Sequence, residues 1–202
     1  MGGNSQLARK FRAQALVRQH MDFVWRSLRQ LGVEERDCDD GCQRVWLVVA
    51  RKIDEIDVAK ERSYIFSVVV RVASEMRRTS RRHQHELLDE QEHARGDATP
   101  EQYCERQRAR RLLEDLLAEM SWDGRVVFVM FEIEGFSSVE IADLLSVSRG
   151  TVASRLRLAR ECFRRGLERY KLRQSGVRYR PNASGGSRDQ ASAELRCADE
   201  ER

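Results

Sequence analysis

The 202 residues predict an all-α chain, folded as two small helical domains joined by a flexible linker. Three observations carry this. Apolar residues recur three and four apart through most of the chain, the spacing of a helix face and not the alternation of a strand. Two prolines and 7% aromatic residues stand against 35% charged residues, a composition suited to helices with thin cores. One stretch, Glu86 to Glu105, breaks the pattern with seven acids, a single Arg95 and the turn run Gly96-Asp97-Ala98-Thr99-Pro100. Like charges keep such a segment extended. Residues 6–84 are thus expected to form one helical domain, 85–105 an acidic flexible linker, 106–172 a second domain and 173–202 a disordered tail.

Taken in order, Gln6 to Leu31 has a helical pattern, with Leu16, Phe23, Val24, Trp25, Leu28 and Leu31 on its apolar side and Gly32 as its stop. Asp37-Cys38-Asp39-Asp40 is an acidic helix start, favourable at the positive end of the helix dipole. It leads into an apolar helix over Cys42 to Ile56. Ser63 to Arg82 reads as a third helix that closes on Arg77, Arg78, Arg81 and Arg82, with Arg71, Glu75, Arg78 and Arg82 along one face. After the acidic stretch, Leu112, Leu113, Leu116, Leu117 and Met120 form the ridge of a fourth helix beginning near Glu105. Ser121-Trp122-Asp123 looks like a junction, and Arg125 to Ile133 an apolar helix ending at Gly135. Beyond Leu172 the chain is rich in Gly, Ser and charge and lacks an apolar face, the composition of disorder.

Phe136 to Lys171 organises the second domain. Val139, Ile141, Ala142, Leu144 and Leu145 give a short helix its buried side. Ser146-Val147-Ser148 interrupts the period, and Ser148 is a good N-cap for a second helix. Val152, Leu156, Ala159 and Phe163 then repeat as a single helical stripe. Ser154 and Arg157 lie opposite that stripe, and Thr151 and Arg155 flank it. From Ser148 to Arg173 there are nine Lys or Arg against two acids, a net charge of +7. That is the footprint of a phosphate-contacting helix. A solvated amphipathic helix would carry similar charge, but the capped turn and the short helix before it favour a helix–turn–helix offered to a DNA major groove. Two basic helices on separate domains suggest recognition of a bipartite DNA site.

The same residues exclude other classes. No apolar run approaches the roughly 20 residues of a membrane span, the first residues lack a signal-peptide core, and Gln6 spoils a myristoylation signal after Met1-Gly2. The chain reads as soluble and cytoplasmic. Five cysteines, an odd number, argue against a disulfide framework. Cys38 and Cys42 share a helix face, yet a zinc site needs two further ligands and none occur at suitable spacing, so no metal is expected. His20, His83, His85 and His93 make no ligand pattern, and there is neither a phosphate-cradling glycine loop nor a nucleophile elbow, so neither an enzyme nor a cofactor is expected.

From about His20 to Leu172 the chain resembles the extracytoplasmic-function group of the sigma-70 family, minimal two-domain subunits of bacterial RNA polymerase. Asp39-Asp40-Gly41-Cys42-Gln43 with Val45-Trp46 resembles the family's D-x-x-Q stretch, with Asp40 and Gln43 in the matching positions. GFSSVEIADLLSVSRGTVASRLRLAR resembles the fourth-region signature, matching at Gly135, Glu140, Ile141, Ala142, Thr151, Val152, Ser154 and Arg155. Each string alone is weak; both in this order and spacing are strong. The resemblance implies that Asp39, Asp40, Gln43 and Trp46 dock on the β′ clamp helices of core polymerase. It implies that Ser148, Arg149, Thr151, Ser154, Arg155 and Arg157 meet −35 promoter DNA. It further implies that Tyr64, Phe66, Arg71, Glu75, Arg77, Arg78, Arg81 and Arg82 read and melt the −10 element. Tyr64 and Phe66 also suit a plain core role, being spaced three to four from Val69. The polymerase β flap and an anti-sigma factor are further implied partners.

Departures from the pattern are visible. Ser146 stands in the turn where the family usually has Gly, so a left-handed residue is expected there. Ala153 and Leu158 replace the usual basic residues, and Arg71 and Glu75 replace an Asn and an Asp of the base-reading segment. The alternative is a stand-alone helix–turn–helix regulator. The acidic stretch, of net charge −6 from Glu86 to Glu105, could also lie against a basic helix and mask it.

Overall fold

A computed structural model describes the backbone of residues 2–83 and 100–175 and the side chains of 6–80 and 105–175. The middle of the expected linker, the masking role considered for it, the expected disorder beyond Ser175 and the side chains of Arg81 and Arg82 lie outside the described residues. Those described form seven helices and no strand: α1 (Gly2–Gln30), α2 (Cys38–Arg51), α3 (Glu61–His83), α4 (Pro100–Ala118), α5 (Trp122–Phe128), α6 (Ser138–Leu145) and α7 (Arg149–Gln174).

Helices α1 to α3 make the first unit. Its core joins Leu16, Phe23, Val24, Leu28 and Leu31 of α1 to Val45 and Val49 of α2 and to Ile65, Phe66, Val69 and Val72 of α3. Gly32 stops α1 as expected, at φ 88°. The next two backbone N–H groups reach back, Gly32 to Arg29 O at 2.9 Å and Val33 to Leu28 O at 3.0 Å. This is a Schellman closure, sealed by the buried pair Leu28 and Val33. Helix α2 ends at Arg51, earlier than the apolar run suggests. Ile53 and Ile56 are still buried, but on a turn. Its free carbonyls are met by Arg12, which donates to Ile53 O at 2.8 Å and Ile56 O at 2.6 Å. A tertiary partner for those carbonyls removes the need for further helix.

The second unit starts earlier than expected. Residues 100–105, read from sequence as linker, are helical, and Pro100 suits a first helical turn. Helix α5 is capped by Ser121, whose side chain accepts from Gly124 N. At Val129 it widens into a π turn running to Ile133 before Gly135, at φ 71°, ends the run. The core here is Leu116, Leu117 and Met120 against Val126 to Met130, Ile141, Val152, Leu156 and Ala159.

The units do not stand apart as independent modules. Phe136, 5% exposed, leaves the second unit to pack on Phe66 of the first, ring centroids 5.5 Å apart, and a continuous apolar cluster runs through both. Two small domains at a variable distance, expected from the acidic stretch, are here closed on one another.

Candidate nucleic-acid interface

The turn between α6 and α7 sets the geometry of the rear interface. Ser137 and Glu140 form a capping box: the Ser137 side chain accepts from Glu140 N, and Glu140 Oε2 accepts from Ser137 N at 2.8 Å. The Ser137 hydroxyl, which donates to the same Oε2 at 2.7 Å, and then the Ser137 N–H hold the Glu140 carboxyl below its ordinary pKa. Ser146 then takes the left-handed conformation, φ 54° and ψ 42°, as its place in the turn predicts. Its N–H and that of Val147 reach back to Asp143 O and Ala142 O, closing α6 in the same way as α1. Ser148 caps α7, its hydroxyl accepting from Thr151 N at 3.0 Å.

Along α7, Val152, Leu156 and Ala159 face the core and Phe163 stacks on Phe128 at 5.1 Å. The opposite side is offered to solvent. Arg149, Ser154 and Arg157 are exposed, and Arg157 lies 3.9 Å from Glu161. Leu158 joins them at 53% exposure, an apolar group suited to a thymine methyl. Other expected contacts are already engaged. Ser148 and Thr151 share a hydrogen bond at 2.9 Å, Ser154 donates to Thr151 O at 3.0 Å, and Arg155 is paired with Asp123.

On α3 the structure separates the −10 candidates. Arg71, Glu75 and Arg78 lie on the side turned from the core, and all three are exposed. Tyr64 is half-buried. Phe66 is fully buried between Phe23, at 6.0 Å, and Phe136. The assignment of Phe66 to a stacked base is therefore corrected: in this conformation it is a core residue, as its spacing from Val69 allowed. Arg77 lies with its guanidinium 4.7 Å above the Trp122 ring of the second unit.

The third surface is on α2. Asp39, Asp40 and Gln43 are exposed, with Arg44 and Asp40 paired at 2.8 Å. Trp46 is half-buried, and its indole N–H is without a partner. Sequence reasoning missed Leu47, 52% exposed one turn beyond Gln43 on the same face. The signal was present, since a leucine at i+4 from an exposed glutamine cannot share the buried stripe of Cys42, Val45 and Val49. Cys38 and Cys42 lie beneath this face, and burial pushes their thiols up to about 12 and about 11.

Also missed were the charged side chains between the units. Arg62 lies 4.9 Å from both the Phe23 and Phe136 rings and donates to Glu134 O and Glu134 Oε2 at 2.7 Å each. Arg125, 5% exposed, donates to Gln30 O, and Arg29 pairs with Glu114. Burial draws the Arg125 guanidinium down to about 10, with the nearby Arg77 adding to the effect. Nothing in one helix's periodicity announces a partner 72 residues away.

Comparison with known proteins agrees with this division. Residues 16–83 match the family described as Sigma-70 region 2, and residues 110–163 the family described as Sigma-70, region 4. An ECF RNA polymerase sigma factor SigE of Mycolicibacterium smegmatis is 30% identical over 152 residues, which is 74% of this chain. The chain spans 59% of that relative's length. Among solved structures, CnrH in complex with the cytosolic domain of CnrY is similar with a TM-score of 0.59 and 20% identity, covering 77% of this chain and 87% of that one. The sigma factor RpoE in complex with the anti-sigma factor NepR from Bartonella quintana is similar with a TM-score of 0.55 and 20% identity, covering 75% and 96%. With Sigma-70 region 2 and region 4 in order on two helical units, the chain belongs to the sigma-70 family.

Proposed function

We propose that this chain is a promoter-specificity subunit of RNA polymerase, which makes or breaks no covalent bond itself and acts in the cytoplasm. The observation that carries the reading is the pairing of two surfaces on separate units. One is an acidic, leucine-bearing face on α2; the other is a capped helix–turn–helix whose α7 turns Arg149, Ser154, Arg157 and Leu158 outward. On this reading Asp39, Asp40, Gln43, Trp46 and Leu47 dock on the clamp helices of β′, and the rear unit sits near the β flap.

Helix α7 enters the −35 major groove. Arginine suits it because its fork grips guanine O6 and N7, or a phosphate. Arg71, Glu75, Arg77 and Arg78 on α3, together with Arg81 and Arg82, meet the −10 segment, with Tyr64 at the edge. Unpairing costs a few kcal/mol per flipped base, which stacking and hydrogen bonding on the protein offset. The solved relatives are bound to CnrY and to NepR, the latter named as an anti-sigma factor, and an anti-sigma partner is proposed for this chain as well.

Run-off transcription with purified core polymerase over a promoter library tests the reading. Transcripts starting at shared motifs, only when both components are present, are expected. Sequence-specific duplex binding without core, and no transcripts with it, would make the chain a stand-alone regulator instead.

A further inference from the structure

Helix α1 carries two apolar faces. The inner one, with Leu16, Phe23, Val24 and Leu28, lies in the core of the first unit. The outer one holds Leu7, Phe11 and Met21, which are 53%, 61% and 38% exposed, and the half-buried Trp25. Gln14 and Arg18, both exposed, complete it. Positions 7, 11, 14, 18, 21 and 25 alternate steps of four and three, the seam of a coiled coil, and fall within about 80° of the helix surface. The groups that tie the front of α1 to its own unit lie on the other side. Arg9 pairs with Asp54 at 2.8 Å, and Arg12 donates to Ile53 O and Ile56 O. We propose that the outer face of α1 is a self-association surface, pairing antiparallel with α1 of a second copy of this chain. The inference stands apart from the promoter-specificity reading and does not need it.

The occupant follows from the order of residues along the seam, because the seam is complementary to itself when reversed. One antiparallel register pairs every member: Leu7 with Trp25, Phe11 with Met21 and Gln14 with Arg18, each pair occurring twice about a two-fold axis. Apolar groups meet at both ends, the Phe11 ring against a thioether. The polar pair falls at the centre, where the Gln14 amide oxygen accepts from the Arg18 guanidinium of the second copy. Sliding the mate by one heptad in either direction strands two of the four apolar members, so the register is specified. A parallel pair would instead set Arg18 against Arg18, a like-charge contact. Ala8 and Ala15, exposed along one edge of the seam, are small enough to let two helices approach. Arg29, where α4 meets α1 through Glu114, lies beyond its end. The front turns of α1, exposed from Gln6 to Phe11, also gain the tertiary packing that a helix in water ordinarily needs.

The test is sedimentation equilibrium of the full chain under reducing conditions, up to about 300 μM. The seam spans about 27 Å of helix and makes a small interface, so a reversible dimer with Kd on the order of 10–100 μM is expected. Phe11→Glu and Met21→Lys are each expected to raise Kd at least about tenfold, since each sets a charge against an apolar group. Mixing the two variants is expected to restore association to within about threefold of wild type. In the mixed dimer the introduced carboxylate faces the introduced ammonium, and the other Phe11–Met21 layer is native. Circular dichroism checks that each variant folds. If Met21→Lys loses helix, Arg18→Glu mixed with Gln14→Lys applies the same test one layer inward, at two exposed positions. A wild-type chain that stays monomeric would overturn the proposal, as would a dimer that both variants leave intact or that mixing fails to restore. A monomeric wild type whose Phe11→Glu variant binds core polymerase more weakly would give the face to polymerase instead of a second copy.

Discussion

Ser146→Gly offers a clean test of how the turn before the recognition helix is held. Ser146 occupies φ 54° and ψ 42°, the only non-glycine residue with positive φ among those described. A left-handed conformation costs an L-residue roughly 1–2 kcal/mol. Glycine removes that strain but loses more backbone freedom on folding, about 0.5–1 kcal/mol. Ser146 is not buried, so little packing is lost. The net expectation is a stabilisation of about 0.5–1 kcal/mol. If the second unit melts by itself, that corresponds to about 2–8 °C in Tm; if both units melt together the shift is about half as large. Thermal melts by circular dichroism, with urea titration as a second measure, read it directly. Ser146→Ala retains the strain and is expected to match wild type, and β-branched Ser146→Val to be less stable. A Gly variant no more stable than wild type, or an Ala variant as stable as the Gly, would refute strain as the cost of this turn.

Leu47→Ala is expected to weaken binding to core polymerase about fivefold, since about half of a leucine's roughly 2 kcal/mol of burial is still available to a partner; competition for labelled core measures it. Gly166→Ala is expected to destabilise the second unit by about 1 kcal/mol in urea melts. Its Cβ would fall 2.5 Å from Leu116 Cδ2, and the overpacking outweighs the gain in helix propensity. The thiols of Cys38 and Cys42, raised to about 12 and about 11, are neutral in the fold. Their contribution is complete below the unfolded value, roughly pH 8.5, and falls as pH rises toward the folded values, by up to about 1.4 kcal/mol per pH unit for each thiol. Urea midpoints from pH 8 to 11 are therefore expected to fall more steeply for wild type than for Cys38→Ala/Cys42→Ala, and equal slopes would refute it.

Much of this chain was legible without coordinates because the determining signals are local. Gly32 ends α1, Ser148 caps α7 and Ser146 turns left-handed because each is set by a few neighbouring backbone groups. The stripe of Val152, Leu156 and Ala159 separates the core face of α7 from Arg149 and Arg157 by the helix period alone. Where helices start and stop was less legible. Arg12 ended α2 from another helix, and α4 began at Pro100, within a segment whose acids read as linker.

What only the tertiary structure decided was what the two units do to each other. Phe66 reads as a core ring that could also serve as a base-stacking ring until Phe136 is seen against it. Arg62, Arg77 and Arg125 look like any other arginines of a basic chain until Glu134, Trp122 and Gln30 O stand opposite them. Helix period, caps and charge runs act over a few residues and are written in sequence order. A contact between surfaces far apart in the chain depends on where both helices end up in space, and no local pattern encodes that.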